Sequence, residues 1–429
     1  LSLDIGTFRR MLRERLDEEL SAYLNACVRC GLCASSCHYY LTDGETASIP
    51  GYKLNRLGQV YRRSTGFPRL LPRREHEEAL TEEMLESMVD VAYGRCTMCG
   101  RCGFHCSIGL DVSRVIHRLR GILTELDRVP KGLGSAVLAA VETGNSMRIT
   151  REEWVDTVKW LEEDLRLEVS DEKASMPLDR QGSRVLYAVN PREPKFFPLS
   201  LSAAAKVFYA AGEDWTLSSR FFDITNYSYF AGDDAQAARF AGNLVSEAER
   251  LGVQALGLSE CGHGYYAARW HVPSYVRQKS RIDVLSILEL IWEYIREGRI
   301  RVDPSRNSRR VTLHDPCHLA RKGGIIREQR DILRSVVSEF VEMTPSGEKN
   351  FCCSGGGGSL SMTVFAERRR GSGRVKAEQI KRTGAEVVAS PCHNCIDQLE
   401  ELDRHYELGV KVVTVTELVA DALALPERR

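Results

Sequence analysis

The chain has 429 residues, room for two or three domains at about 150 residues each. Hydrophobic residues make up 43% and charged residues 28%, an ordinary globular balance. Lys+Arg and Asp+Glu each number 59, and a formal net charge of zero argues against a general nucleic-acid binder, which carries a basic excess. No apolar run reaches the roughly 18 residues of a transmembrane helix. The start, LSLDIGTFRRMLRERLDEEL, lacks the apolar core of a secretory signal.

Residues 6–26 read as a helix that leads into the first of two cysteine runs. That run is Cys27-Val-Arg-Cys30-Gly-Leu-Cys33-Ala-Ser-Ser-Cys37. Residues 80–93, LTEEMLESMVDVAY, carry the apolar spacing of an amphipathic helix. The second run follows as Cys96-Thr-Met-Cys99-Gly-Arg-Cys102-Gly-Phe-His-Cys106. Both runs obey C-x2-C-x2-C-x3-C, the ferredoxin spacing for [4Fe–4S] clusters. Three thiolates on a wrapping loop each reach one iron, and the fourth ligates the other cluster in a two-cluster protein. The expected sets are therefore Cys27, Cys30, Cys33 and Cys106 for one cubane, and Cys96, Cys99, Cys102 and Cys37 for the other. Gly31, Gly100 and Gly103 are expected where backbone passes close to sulfide. Zinc sites favour separated C-x2-C pairs, and disulfides join residues this close with difficulty. The Pro that commonly follows the fourth cysteine is replaced by His38 and Ser107. With a long interval between the runs, the reading is a helical ferredoxin domain.

Residues 111–165 hold further helical stretches, and LDRQGSR (178–184) reads as a linker. Beyond it, short apolar strands alternate with helical patterns: RVLYAV, VQALGL, RVTLHD, AEVVAS and VKVVTV. An internal repeat is visible. EAERLGVQALGLSEC (247–261) echoes EQIKRTGAEVVASPC (378–392), and RVLYAVNP (184–191) echoes RVTLHDP (310–316). The organisation expected is α+β and multidomain. A helical two-cluster ferredoxin domain at 1–177 precedes a pseudo-twofold α/β domain with halves at 183–300 and 308–429. Ligands in such sheets lie outside the carboxyl ends of the strands.

The second half carries Cys317, the vicinal pair Cys352-Cys353 followed by Gly355–Gly358, and the closing Cys392-His-Asn-Cys395. Five thiolates are one more than a cubane or a tetrahedral zinc needs, which suggests an unusual cluster or a catalytic thiol. A purely structural zinc site is the remaining alternative for this half. The glycines are expected to let backbone approach a bulky inorganic group. No Gly-Lys-Ser/Thr follows them and no GxGxxG follows a strand, so neither a nucleotide nor NAD or FAD is expected on this chain.

This five-cysteine pattern resembles the CCG domain of the heterodisulfide reductase superfamily. With the ferredoxin runs placed first, the layout is similar to subunits of the HdrD, DsrK, HmcF and TmcB type. The resemblance implies that Cys317, Cys352, Cys353, Cys392 and Cys395 hold a noncubane [4Fe–4S] cluster that reduces or forms disulfides. It implies a membrane cytochrome b-like subunit or other redox partner. It also implies a disulfide substrate, either small or carried on a small sulfur-carrier protein. The expected location is cytoplasmic, peripheral on the inner face of the membrane through that partner. An electron-relay subunit without disulfide chemistry is the alternative. Complexes for benzoyl-CoA reduction, transmembrane cytochrome complexes and glycolate or lactate dehydrogenases contain such subunits.

The first half keeps only Cys261, in Ser-Glu-Cys-Gly-His-Gly-Tyr, where its twin has the closing pair. Asn190-Pro191-Arg192 stands where Cys317 would recur, so this half is expected to hold no cluster. Such a reduced first half favours the DsrK-like branch, although the full closing C-x2-C departs from it. Cys261 is either vestigial or a catalytic thiol facing the cluster, with His263 close enough to lower its pKa. His314, His318 and His393 flank the ligands, either as hydrogen-bond donors or for proton delivery. The stretch ERRRGSGRVK (367–376) reads as a solvated face, with a docking patch for a small redox protein as the alternative.

Overall fold

The computed structural model describes residues 5–16, 18–65, 82–271, 273 and 282–425. It divides into two compact units. The first comprises Leu1–Gly134, Ser228–Asp233 and Ser354–Val375; the second comprises Ser135–Tyr227, Asp234–Cys353 and Lys376–Arg429.

The first unit is helical. Phe8, Leu12, Leu16, Leu20 and Leu24 recur every fourth residue and are all buried. That spacing places them along one face of the chain's opening helices. The expected single helix over 6–26 is two, Ile5–Arg15 and Glu18–Ala26; Asp17 lies outside the described residues. The first of these packs on the helices Pro50–Thr65 and Val112–Glu125. Asp111 caps the latter by accepting from the Ser113 N–H at 2.9 Å, which satisfies one of its open donors. Val115, Ile116, Leu119, Ile122 and Leu123 make it the buried centre of the unit. The helix expected over 80–93 runs Glu82–Val89 and then widens to a π-turn over Asp90–Gly94; residues 80 and 81 lie outside the described residues.

The second unit is α/β. Its first sheet contains β1 (Val185–Ala188), β2 (Trp215–Thr216), β3 (Ala255–Leu258) and β4 (Asp283–Ser286), in the order β2-β1-β3-β4. The second contains β5 (Arg310–Leu313), β6 (Glu339–Val341), β7 (Val387–Ala389) and β8 (Lys411–Val413), in the order β6-β5-β7-β8. Every pairing is parallel. The repeated order makes the two halves topological copies. β1, β3 and β7 are buried along their whole length, as strands covered on both faces must be. At Gly257 a Cβ would stand 2.8 Å from Val185 Cγ1, so only glycine fits the centre of β3. One hydrophobic core runs from Trp154 through both sheets to Leu423.

In each half the strand order reverses between the first and third strands, β1 and β3 or β5 and β7. The carboxyl ends there lead into Asn190 and Cys261 in one half, and into Cys317 and Cys392 in the other. Among the described residues, no helix is long and apolar enough to cross a membrane.

Candidate iron–sulfur centres

The two cysteine runs fold alike. Arg29 and Gly31 take φ of 57° and 84°, and Met98 and Gly100, at the matching positions, take 55° and 75°. Left-handed residues spaced this way turn successive N–H groups toward one concavity, which suits an anionic cluster. Gly103 has another cause: a Cβ there would meet the Asp111 Cα at 2.8 Å.

Cys37, Cys96, Cys99 and Cys102 line one small cavity, together with Lys53 and Arg95. Burial pushes the Cys37 thiol up, with the Lys53 ammonium opposing and Cys99 and Cys96 adding to the rise. Burial also raises Cys102, helped by Asp111 and by Cys99, Cys96 and Cys37. The fourth cysteine of the first run thus stands among three of the second. Elsewhere Cys33 is raised by burial and by Cys27 and Cys30, and its sulfur accepts the Gly51 N–H at 3.2 Å. Cys106 is half-buried, while Cys30, Val28 and Leu32 are exposed.

A buried cation that the sequence did not flag serves the second run. Arg120 is 0% exposed. It donates to Cys96 O at 2.7 Å, Ala92 O at 3.0 Å, Phe230 O at 2.8 Å and Gly357 O at 2.7 Å. Among the described residues no carboxylate meets it, and its guanidinium lies 4.5 Å over the Tyr93 ring. Gly357, with φ +67°, lies where a Cβ would meet Thr97 O at 2.6 Å. The expectation that Gly355–Gly358 make room for a cluster is corrected at this position, where the close neighbour is the backbone of the second cysteine run. The basic stretch 367–376 is corrected as well. Arg369 and Lys376 are buried, and Arg368 pairs with Asp90.

In the α/β unit the CCG cysteines Cys317, Cys352, Cys353, Cys392 and Cys395 are all buried. Cys353, Cys392 and Cys395 pack in one cluster with Met343, Val388 and Leu399. The Cys395 hydrogen bond holds the Cys392 thiol well below its usual range against burial, and His263 adds to the effect. Cys353 and then Cys392 raise Cys395. Cys317 Sγ lies 3.4 Å from His318 Nδ1. Lys376 is 0% exposed, and burial lowers its pKa to about 8 against the opposing charges of Asp315 and of Cys353, Cys352 and Cys395.

Cys261, 1% exposed, belongs to the same place. Its sulfur is 3.4 Å from His263 Nδ1 and 3.6 Å from the Asn190 amide, and His263 also bonds Cys392. The expected lowering of the Cys261 pKa by His263 is not what this environment produces. Burial and the neighbouring Cys392 push that thiol well above its ordinary value. Glu260 accepts from Val415 N at 3.1 Å and from Thr416 N and Oγ1 at 2.7 Å, which caps the helix Val415–Ala422. The three flanking histidines separate by role. His318 faces Cys317, and His393 Nδ1 lies 3.1 Å from Glu260 O. His314, buried, presents a ring nitrogen within 4.8 Å of the Cys353 and Cys395 sulfurs, and among the described residues its Nε2 has no partner. Burial and the Lys376 charge push this imidazole well below its usual pKa.

All fourteen cysteines are free of disulfides. Grouped buried thiols, a histidine ring nitrogen within 4.8 Å of two of them and buried cations fit iron–sulfur clusters well. Sequence comparison agrees. Residues 23–110 match the model of the 4Fe-4S dicluster domain, and residues 311–400 match that of the cysteine-rich CCG domain. The chain joins a 4Fe-4S dicluster domain to a CCG domain. The Hdr-like menaquinol oxidoreductase iron-sulfur subunit 2 of Archaeoglobus fulgidus is 25% identical over 97% of this chain and 83% of its own length. The corresponding subunit of Archaeoglobus profundus is 24% identical over 98% of this chain and 83% of its own length. A polypeptide of the dihydromethanophenazine:CoB–CoM heterodisulfide reductase of Methanosarcina barkeri is 26% identical over 94% of both chains. These are relatives of the superfamily that the sequence resembles. The chain is an iron–sulfur oxidoreductase subunit.

Proposed function

We propose that the chain passes electrons through two cubane [4Fe–4S] clusters to a noncubane [4Fe–4S] cluster that reduces, or forms, a disulfide. When bound, the clusters supply single electrons, while a disulfide is a two-electron, two-proton couple. Cys27, Cys30, Cys33 and Cys106 hold one cubane, and Cys96, Cys99, Cys102 and Cys37 the other. Cys317, Cys352, Cys353, Cys392 and Cys395 hold the third cluster. The exposure of Cys30, Val28 and Leu32 supports entry of electrons from a partner at the first run. By its likeness to subunits named as menaquinol oxidoreductases that partner is quinone-reactive, and by the family resemblance it is a cytochrome b-like membrane subunit.

The observation that carries the disulfide reading is the Cys261–His263 pair set against Cys392. Asn190 orients the Cys261 thiol, and His263 can hold a proton at the sulfur released when a disulfide opens. The burial of both residues favours the second reading, in which the CCG centre only relays electrons within a larger complex. An iron and sulfide count on anaerobically purified protein, with an EPR spectrum of the oxidised state, tests the proposal. Roughly 12 iron per chain and an oxidised-state signal perturbed by thiols are expected. About 8 iron with zinc in the C-terminal half would overturn the third cluster, and a signal indifferent to thiols would leave the relay.

A further inference from the structure

Behind the CCG cysteines lies a chain of three buried polar residues that the sequence did not connect. Lys376, on the helix Arg374–Thr383, is 0% exposed and places Nζ 2.6 Å from Asn350 Oδ1. The other end of the same amide, Asn350 Nδ2, lies 3.4 Å from His314 Nδ1 and 2.9 Å from Asp315 O. Each step has one direction only. An ammonium has donors and no acceptor, so it faces the amide oxygen. The amide nitrogen, which only donates, is thereby turned toward the ring and toward Asp315 O. His314 Nδ1 must accept, and the ring proton is left on Nε2. Among the described residues that nitrogen has no hydrogen-bond partner, on a ring that reaches within 4.8 Å of Cys353 and Cys395.

We propose that Lys376 and Asn350 fix His314 as the Nε2–H tautomer, so that it donates a hydrogen bond to a sulfur of the CCG centre and raises that centre's reduction potential. The inference rests on the reading that the five cysteines hold a cluster. Hydrogen bonds to cluster sulfurs and nearby positive charge both favour the reduced, more negative state. Lys376 contributes its charge and, through Asn350, the orientation of the donor. Lys376 and Asn350 are positioning residues, and His314 is the group that touches the centre.

The test uses the full chain with its clusters, and three variants: His314→Leu, Asn350→Asp and Lys376→Met. The first removes the donor. The second keeps the side-chain size but presents an acceptor to His314 Nδ1, which draws the ring proton away from Nε2. Electron–nuclear double resonance on the CCG signal, in H2O and in D2O, should show one exchangeable proton in the parent chain that His314→Leu and Asn350→Asp lose. Redox titration should show all three variants with the reduction equilibrium shifted roughly tenfold toward the oxidised state, which is about 59 mV for one electron. The proposal is overturned if both substituted chains keep every exchangeable proton that the parent chain shows. A nitrogen bonded directly to iron in the parent chain, or potentials unchanged in the variants, would also overturn it. Should His314→Leu fail to load iron, Asn350→Asp alone decides. Failure of the underlying reading looks different: about 8 iron per chain and no C-terminal signal in the parent protein.

Discussion

Gly357→Ala should damage the first unit far more than a methyl group normally would. Gly357 has φ +67°, and a Cβ there would stand 2.6 Å from Thr97 O and 2.7 Å from Thr97 C and Cα. The left-handed conformation alone costs an L-residue about 1–2 kcal/mol. The obstacle is backbone rather than the end of a flexible side chain, so relief requires moving either residue 357 or the second cysteine run. Overpacking of that kind costs about 1–3 kcal/mol. Movement of residue 357 would also weaken the 2.7 Å bond from Arg120 to its carbonyl. Taken together the expected loss is about 4 kcal/mol, or roughly 10 °C in melting temperature for a unit of this size. Gly371→Ala is the control. It lies in the helix Ala366–Ser372, a Cβ there meets nothing within 4 Å, and alanine should stabilise that helix by up to about 1 kcal/mol. Anaerobic melting followed by circular dichroism and by loss of cluster absorbance measures both variants. If Gly357→Ala melts together with Gly371→Ala, the argument from the Thr97 contact is refuted.

Arg120→Leu leaves four buried carbonyls without their donor and should cost at least about 4 kcal/mol, with iron lost on purification. Full iron content and an unchanged melt would remove Arg120 from the account. Cys261→Ala should leave iron content and cluster potentials intact while lowering disulfide turnover about 100-fold or more; a normal rate would take Cys261 out of the chemistry. Burial pushes Glu260 up to about 8, so between about 4.5 and 8 the folded chain binds a proton that the unfolded chain has lost. Stability should therefore fall as pH rises through that window, by up to about 1.4 kcal/mol per pH unit. Glu260→Gln should flatten this slope in urea unfolding between pH 6.5 and 8.5, and an equal slope in both proteins would contradict the assignment.

Local spacing made part of this molecule legible. The cysteine runs carry their chemistry in four or five residues, and the strand–helix alternation announced the α/β architecture. What escaped was short or distant. β2 is two residues long, and the edge strands β4 and β6 are only partly buried, so none of them has a distinct apolar pattern. Gly357 meets a residue some 260 positions earlier, a contact no local pattern encodes. Lys376 closes a run of charges that reads as surface, and Arg120 sits on an amphipathic helix where arginine is common. Burial of a cation becomes visible only when the chain is folded around it. The internal repeat did better. It aligned Cys261 with Cys392 as strand-end cysteines, and in the fold the two thiols are neighbours.

The first unit is not one stretch of chain, and this governs the order in which it can be built. Its sequence begins at residue 1 but ends at Val375. While the ribosome is still making the α/β halves, Arg120 has only the carbonyls of Ala92 and Cys96 to bond; those of Phe230 and Gly357 arrive later. An unmatched buried guanidinium disfavours closure of the unit before residues 230 and 357 are in place. For the same reason, an N-terminal fragment cut at the end of the cysteine-rich region would lack two of the four acceptors that anchor Arg120.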